Sequence, residues 1–407
     1  MNQIIQLYRN AFGGLSKPAW ALALVMFINR SGSMVVPFMS VYLTEALRFN
    51  LKQTGIILSL YGLGSMAGSF TGGWLTDRVG HFRVQFLSLV IGGMLFFVMM
   101  QLNQFVLVSG GIFILSLVTE CLRPANSSSI TYYAKPENMT RAFSLNRMAI
   151  NLGFSVGPVL AGLLATISYR MLFLADGATC MLAGLFFYLY FRRKKGSSAP
   201  DKTNVVPTIK ANSPYRDIKF IVFVVLTIGF ATIFFQFFST LPLYYRQVYR
   251  LSESQIGLLL GLNGLVVFSL EMIVVYLATP RFRFQHLIIT GVLLTGLSLV
   301  LLNLFAGAWV LVLAMFILSV SEILVMPFLA TITVQRSDTL NRGAYMGFYS
   351  LAYSTAFILG PLLGTSIISH FGFTTLWWSG GGLALFTALG FYLILQKMQI
   401  NEKPVTN

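Results

Sequence analysis

Gly55-Ile56-Ile57-Leu58-Ser59-Leu60-Tyr61-Gly62-Leu63 returns 202 residues later as Gly257-Leu258-Leu259-Leu260-Gly261-Leu262-Asn263-Gly264-Leu265. Both stretches are apolar, carry no charge and keep their glycines in register. Further along, Thr119-Glu120-Cys121-Leu122 returns as Ser321-Glu322-Ile323-Leu324, and Gly157-Pro158-Val159-Leu160-Ala161-Gly162 as Gly360-Pro361-Leu362-Leu363-Gly364-Thr365. One such match could be chance; three in order along the chain point to an internal duplication.

Each copy is a series of apolar runs of about 20 residues, the length that crosses a bilayer as a helix. In the first copy they lie near 18–44, 54–75, 84–103, 106–131, 143–167 and 171–191. In the second they lie near 218–243, 254–279, 286–305, 309–334, 343–369 and 375–396. The composition agrees: 56% of the 407 residues are hydrophobic and 10% charged, against about 25% charged in a soluble domain. Lipid must solvate much of the chain. The expected class is an all-α membrane protein of twelve transmembrane helices in two pseudo-symmetric six-helix bundles, 1–191 and 218–407. A polar linker at 192–217 opens with Arg192, Arg193, Lys194 and Lys195. Pro37, Pro124 and Pro158 mark spans one, four and five, and Pro242, Pro327 and Pro361 mark seven, ten and eleven. A proline inside a helix removes a hydrogen bond and bends it.

A formal charge of +16 would suggest nucleic acid in a soluble chain. Here the cations sit between apolar runs and set orientation instead. With the N-terminus inside, Arg9, Lys17, Arg78, Arg83, Lys135, Arg141, seven linker cations, Arg281, Arg283, Arg336, Arg342, Lys397 and Lys403 are cytoplasmic. Only Arg48, Lys52, Arg170, Arg246 and Arg250 fall opposite. Both termini are therefore expected in the cytoplasm. The first run is long and contains Arg30, unlike the core of a cleavable signal. Cys121 and Cys180 lie in separate apolar runs, which gives neither metal spacing nor a disulfide framework. Nothing resembles a nucleotide-binding loop, so no cofactor is expected.

Between spans two and three stands Gly73-Trp74-Leu75-Thr76-Asp77-Arg78-Val79-Gly80-His81-Phe82-Arg83. It resembles the loop signature G-x-L-A-D-R-x-G-R-K of the major facilitator superfamily. Gly73, Leu75, Asp77, Arg78 and Gly80 match; His81 and Phe82 replace the usual basic pair, with Arg83 close by. In span five, Gly153-Phe154-Ser155-Val156-Gly157-Pro158-Val159-Leu160-Ala161-Gly162 is similar to the antiporter motif G-x-x-x-G-P-x-x-G-G, with Ala161 in place of one Gly. The resemblance runs the whole chain and is nearest to the twelve-helix drug/proton antiporters of that superfamily. It implies alternating access between two rocking halves, a cavity lined by spans one, four, seven and ten, and a gating latch at Gly73, Asp77, Arg78, Gly80 and Arg83. Gly157 and Pro158 join that gating set. Short loops, no evident targeting segment and a compact 407 residues suggest a bacterial inner membrane, and the expected form is a monomer whose partners are a small-molecule substrate, protons and the lipid bilayer. Nucleic acid and catalysis of an enzymatic kind are not expected.

Six charges lie well inside the spans: Arg30, Glu120, Arg123, Asp176, Glu271 and Glu322. A charge at the bilayer centre costs a few kcal/mol on insertion scales, so each must face the interior, find a partner or serve a function. Glu120 and Arg123 are three apart and share a helix face. An Arg30–Glu120–Arg123 cluster is expected on the cavity, with Glu322 as the repeat counterpart of Glu120. Glu120, Glu322 and Glu271 are the candidate proton carriers. Arg30, Arg123, Asn29, Asn126, Gln236 and Asn263 are the candidate substrate ligands. Asp176, on a peripheral span, is expected to be structural. The expected activity is proton-coupled export of amphipathic small molecules. The alternative is proton-coupled import of a sugar, peptide or organic acid held by the buried arginines. A membrane-embedded sensor or enzyme finds no supporting constellation.

Overall fold

The computed structural model describes residues 15–134, 139–194, 213–278, 281–337 and 342–398. Lys135, most of the linker (195–212), Arg9 and Lys403 lie outside them, as do the side chains of Arg141 and Arg342. Every element among the described residues is helical.

The first bundle contains α1 (Lys17–Ala46), α2 (Leu51–Val79), α3 (His81–Met99), α4 (Phe105–Tyr133), α5 (Met139–Ile167) and α6 (Arg170–Phe191). The second contains α7 (Ile218–Gln247), α8 (Glu253–Ala278), α9 (Phe284–Leu304), α10 (Ala308–Arg336), α11 (342–371) and α12 (373–397). Among the described residues, ten stretches are long and apolar enough to cross a membrane. The last of these is two helices folded at Gly372, where φ is 80°. Adding α2, which is 29 residues long, brings the count to twelve.

The duplication is visible in local detail. Arg48 (φ 59°) and Arg250 (φ 54°) are the two non-glycine residues with positive φ among the described residues, and they are 202 apart. Each ends a helix in a left-handed cap. Phe49 N–H donates to Leu43 O at 2.9 Å and Leu251 N–H to Tyr245 O at 3.1 Å, in each case one residue further back than the usual closing bond of such a cap. Each is followed by a capping box. Gln53 N–H meets Asn50 Oδ1 at 2.8 Å while Asn50 N–H meets Gln53 Oε1 at 3.1 Å. Ser252 and Gln255 repeat the exchange at 2.9 and 3.4 Å.

Two spans break where proline requires it. A proline ring clashes with the carbonyl four residues earlier. Pro37 thus bears on Ser33, and the α1 ladder stops at Ser31 and resumes at Val35. Pro124 bears on Glu120, and α4 is interrupted at Cys121. The α7 ladder is interrupted at Phe235, 202 residues beyond Ser33, although Pro242 lies downstream within the second stretch.

By contacts the chain divides into two units, 1–38 with 63–201, and 39–62 with 202–407. In the first, Gly64, Gly68 and Gly72 set α2 against Phe113, Leu117 and Cys121 of α4, where any Cβ would collide with backbone. Small residues four apart allow this approach in a membrane, where packing rather than water drives association. Leu22, Val25, Met26, Leu89, Ala183, Phe187 and Phe191 fill the seam between α1, α3 and α6. In the second unit the N-terminal part of α2 lies on α11, with Ser59 Oγ donating to Ile358 O at 2.8 Å.

Candidate functional site

Glu120 closes the first stretch of α4 and is buried, whereas the Arg123 side chain is largely exposed. Arg123 Nη2 stands 3.0 Å from Glu120 Oε2. The contact is out of line for a hydrogen bond, and Oε2 has no such partner among the described residues. The expected three-member cluster is therefore a pair. No ion pair joins Arg30 to Glu120 among the described residues. Arg30 instead lies over the Phe154 ring of α5 at 5.5 Å, with Nε buried and without a hydrogen-bond partner among the described residues. Helix pitch explains the pairing: residues three apart meet on one face, whereas Arg30 is walled in by α5.

Asn126 sits one turn below Glu120–Arg123 in a buried chain of side chains. Asn126 Nδ2 donates to Asn146 Oδ1 of α5 at 3.2 Å, and Gln85 Nε2 of α3 donates to Asn126 Oδ1 at 3.3 Å. Ser129 Oγ donates to Gln85 Oε1 at 2.5 Å and meets His81 Nδ1 at 3.0 Å. His81, which stands in the loop signature where a basic residue is usual, thus ends a polar line through α3, α4 and α5. Asn29 is buried, its Nδ2 donating to Cys180 Sγ at 3.3 Å.

In α10, Glu322 Oε2 accepts from Asn263 Nδ2 of α8 at 3.1 Å, and the same amide reaches Ser319 Oγ at 3.1 Å. Glu271 is half-buried on α8. Gln236 belongs to the α7–α11 contact: Nε2 donates to Thr232 O and Gly360 O at 3.1 and 3.0 Å, and Oε1 accepts from Thr240 Oγ1 at 2.8 Å. These bonds occupy both ends of its amide.

The residues of the expected latch lie at and just beyond the C-terminal end of α2. Asp77 is exposed and makes no ion pair among the described residues; Arg78 lies over Trp74 at 4.2 Å, and Arg83 is exposed. Gly80 turns the chain with φ 88° in open space, so backbone conformation rather than crowding calls for glycine there. Gly157, beside Pro158 on α5, faces Arg30 O and Ser33 O of α1.

Two charged groupings escaped the sequence reading. At the C-terminal end of α7, Arg246 Nε meets Glu45 Oε1 and Oε2 at 2.7 and 2.9 Å, and Nη2 meets Glu253 Oε1 at 3.2 Å. At its N-terminal end Asp217 caps the helix, accepting from Phe220 N–H at 3.2 Å, and takes Arg336 Nε at 2.8 Å and Tyr345 Oη at 3.2 Å. Burial opposes the Asp217 charge, but the Arg336 hydrogen bond and charge, with Phe220 N–H and the Tyr345 hydroxyl, outweigh it and hold the carboxyl below its ordinary range. Their partners lie far off in sequence, with no periodicity to join them. No cluster among the described residues has the make-up of a metal site, and both cysteines are buried and free.

The chain matches the family model of the Major Facilitator Superfamily over residues 20–339 and 251–406. It is 27% identical to an uncharacterized MFS-type transporter, YttB, of Bacillus subtilis (strain 168), over 87% of this chain and 89% of that protein. It is 24% identical to a Na(+), Li(+), K(+)/H(+) antiporter of Planococcus maritimus, over 93% and 94%. It is 26% identical to the class C tetracycline resistance protein of Escherichia coli, over 84% and 85%. Among solved structures, a POT family transporter in complex with 5-aminolevulinic acid superposes with a TM-score of 0.81, covering 95% of this chain and 98% of that one at 18% identity. That likeness speaks for the fold alone.

Proposed function

Because this chain belongs to the Major Facilitator Superfamily, a multi-pass transporter fold and not an enzyme, we propose that it exports amphipathic small molecules in exchange for protons. The observation that carries the reading is a pair of carboxyls, Glu120 and Glu322, at equivalent positions of the two repeats and inside the membrane spans. A carboxyl held away from bulk water can gain and lose a proton as the cavity opens to either side. Protons pass through these two groups, with Glu271 contributing from α8. Arg123 sets the charge balance beside Glu120, and Arg30, Asn29, Asn126 and Asn263 lie along the substrate path. Gln236, with both ends of its amide engaged, contributes least. The latch at Gly73, Asp77, Arg78, Gly80 and Arg83 gates the inner side. Both termini lie in the cytoplasm, on the Lys and Arg asymmetry, and the chain works as a monomer. An antiporter and a resistance protein among its relatives favour export.

The second reading is proton-coupled import of a polar metabolite. The buried Nε of Arg30, without a hydrogen-bond partner among the described residues, favours it, since such a group suits a carboxylate or phosphate. Ethidium efflux from a pump-deficient bacterium separates the two. Export predicts efflux that a protonophore abolishes and that Glu120→Gln or Glu322→Gln removes at unchanged expression. Absence of efflux from well-expressed protein refutes export and makes uptake of anionic metabolites the next assay.

A further inference from the structure

Asp176 has no part in the proton or substrate chemistry above. It lies on α6, 2% exposed, and its hydrogen-bond partners are backbone groups. Oδ1 accepts from Met34 N–H at 2.9 Å and Oδ2 from Val35 N–H at 3.1 Å. These donors open the outer stretch of α1, Val35–Ala46, and a helix start leaves such N–H groups without intrahelical partners. In a membrane an unsatisfied N–H is costly, so the carboxylate makes the break in α1 tolerable.

The same break is gripped from two further sides. Gly32 abuts Thr179, one turn along α6 from Asp176, so closely that a Cβ would overlap its hydroxyl. On α5, a Cβ on Gly153 would stand 2.7 Å from Arg30 Cβ and 2.9 Å from Ser31 N, and one on Gly157 3.2 Å from Arg30 O and Ser33 O. The glycines that resemble the antiporter motif thus seat α5 on the broken segment. Arg30 of α1 and Asp176 of α6 both lie within electrostatic reach of Cys180. Beside Asp176, Gly177 packs on Gly93 and Phe97 of α3, which carry no charge. The chain passes from the first contact unit to the second between Phe38 and Met39, a few residues beyond the break.

We propose that Asp176 is a positioning residue of the transport cycle: it pins the start of the outer stretch of α1 to α6, so that this stretch pivots at Gly32–Met34 without unravelling. The proposal rests on the chain being a transporter, not on export or on ethidium being a substrate. Its test uses full-length protein in nanodiscs, with Asp176→Asn and Val35→Pro as separate lesions. The first keeps shape but puts an amide where a carboxylate accepted both donors. The second deletes one donor at the first position of a helix, where proline is tolerated, and leaves Asp176 intact.

Amide exchange in residues 34–46 should quicken by about tenfold in Asp176→Asn, while residues 236–247 exchange as in the wild type. Ethidium efflux should fall about tenfold in Vmax with KM within about twofold, and Val35→Pro should show the same split to a lesser degree. Wild-type exchange in 34–46 of Asp176→Asn overturns the proposal. So does wild-type Vmax in Val35→Pro, which would place any Asp176 effect outside α1. If the wild-type protein moves no ethidium, the export reading fails and the exchange comparison alone decides. If Asp176→Asn cannot be recovered folded, Val35→Pro decides by Vmax.

Discussion

The break in α1 at Gly32–Met34 and the break in α7 at Phe235 occupy the same place in the two repeats, yet they are held by different chemistry. The first is tied by a buried carboxylate from α6 and pressed by glycines of α5. The second is tied by a neutral amide, Gln236, bonded to Gly360 O of α11. At the offset that matches Gly157 with Gly360, Asp176 falls on Ser379, which is uncharged and exposed. The packing differs as well. A Cβ on Gly157 would meet two carbonyls of α1 at 3.2 Å, whereas on Gly360, its counterpart, the nearest atom is Thr232 O at 3.5 Å. Duplication supplied two copies of one architecture, and of these two breaks the first is the one tied by a charged group.

Substitutions at these glycines can break the comparison. Gly153→Ala drives a methyl against Arg30 Cβ and backbone and should destabilise the purified protein by about 2–3 kcal/mol, read as a lowered Tm in detergent. Gly157→Ala should cost about 1 kcal/mol, because the carbonyls it meets can yield by only a few tenths of an ångström. Gly360→Ala should be neutral or slightly stabilising, since alanine favours the helix by up to about 1 kcal/mol and nothing stands in its way. Equal losses at Gly157 and Gly360 would show that the two breaks are packed alike.

The N-terminal ends of α1 and α7 sharpen the same contrast. Ser16 caps α1, accepting from Ala19 N–H at 3.3 Å and donating to Tyr133 O of α4 at 3.1 Å. Asp217, 201 residues on, caps α7 and reaches Arg336 of α10. Asp217→Ala should cost about 2 kcal/mol, for the cap and for an arginine left without its carboxylate; Ser16→Ala should cost about 1 kcal/mol. Because the Asp217 carboxyl is held below its ordinary range, its contribution is complete above the unfolded value of about 4. It disappears as pH falls through the lower folded value. The stability gap between wild type and Asp217→Ala should therefore stay constant from pH 5 to 8 (about the neutral range) and narrow only in stronger acid.

The twelve spans and the duplication were legible because bilayer thickness and a fixed offset leave marks in the order of residues. The capping boxes and left-handed arginines at the same offset add to them. The Glu120–Arg123 pair was legible too, since three residues of helix bring side chains together. Partners set by tertiary packing were not: Glu45 with Arg246, Asp217 with Arg336, and Asp176 with the α1 backbone. The donors to Asp176 are peptide groups, which every residue carries, so no residue type advertises them. Arg30 was drawn toward Glu120 by charge alone, whereas the glycines of α5 bring Phe154 to it. Gln236 looked like a ligand because its side chain is polar, but the interruption at Phe235 and the carbonyl of Gly360 engage that amide.

Proton exchange is tested most directly in proteoliposomes loaded acidic inside and diluted into neutral buffer, with ethidium outside. The account predicts ethidium accumulation that follows the proton gradient, collapses when the gradient is dissipated, and is lost in Glu120→Gln or Glu322→Gln. Accumulation that ignores the gradient, or that requires the acidic side outside, would contradict it.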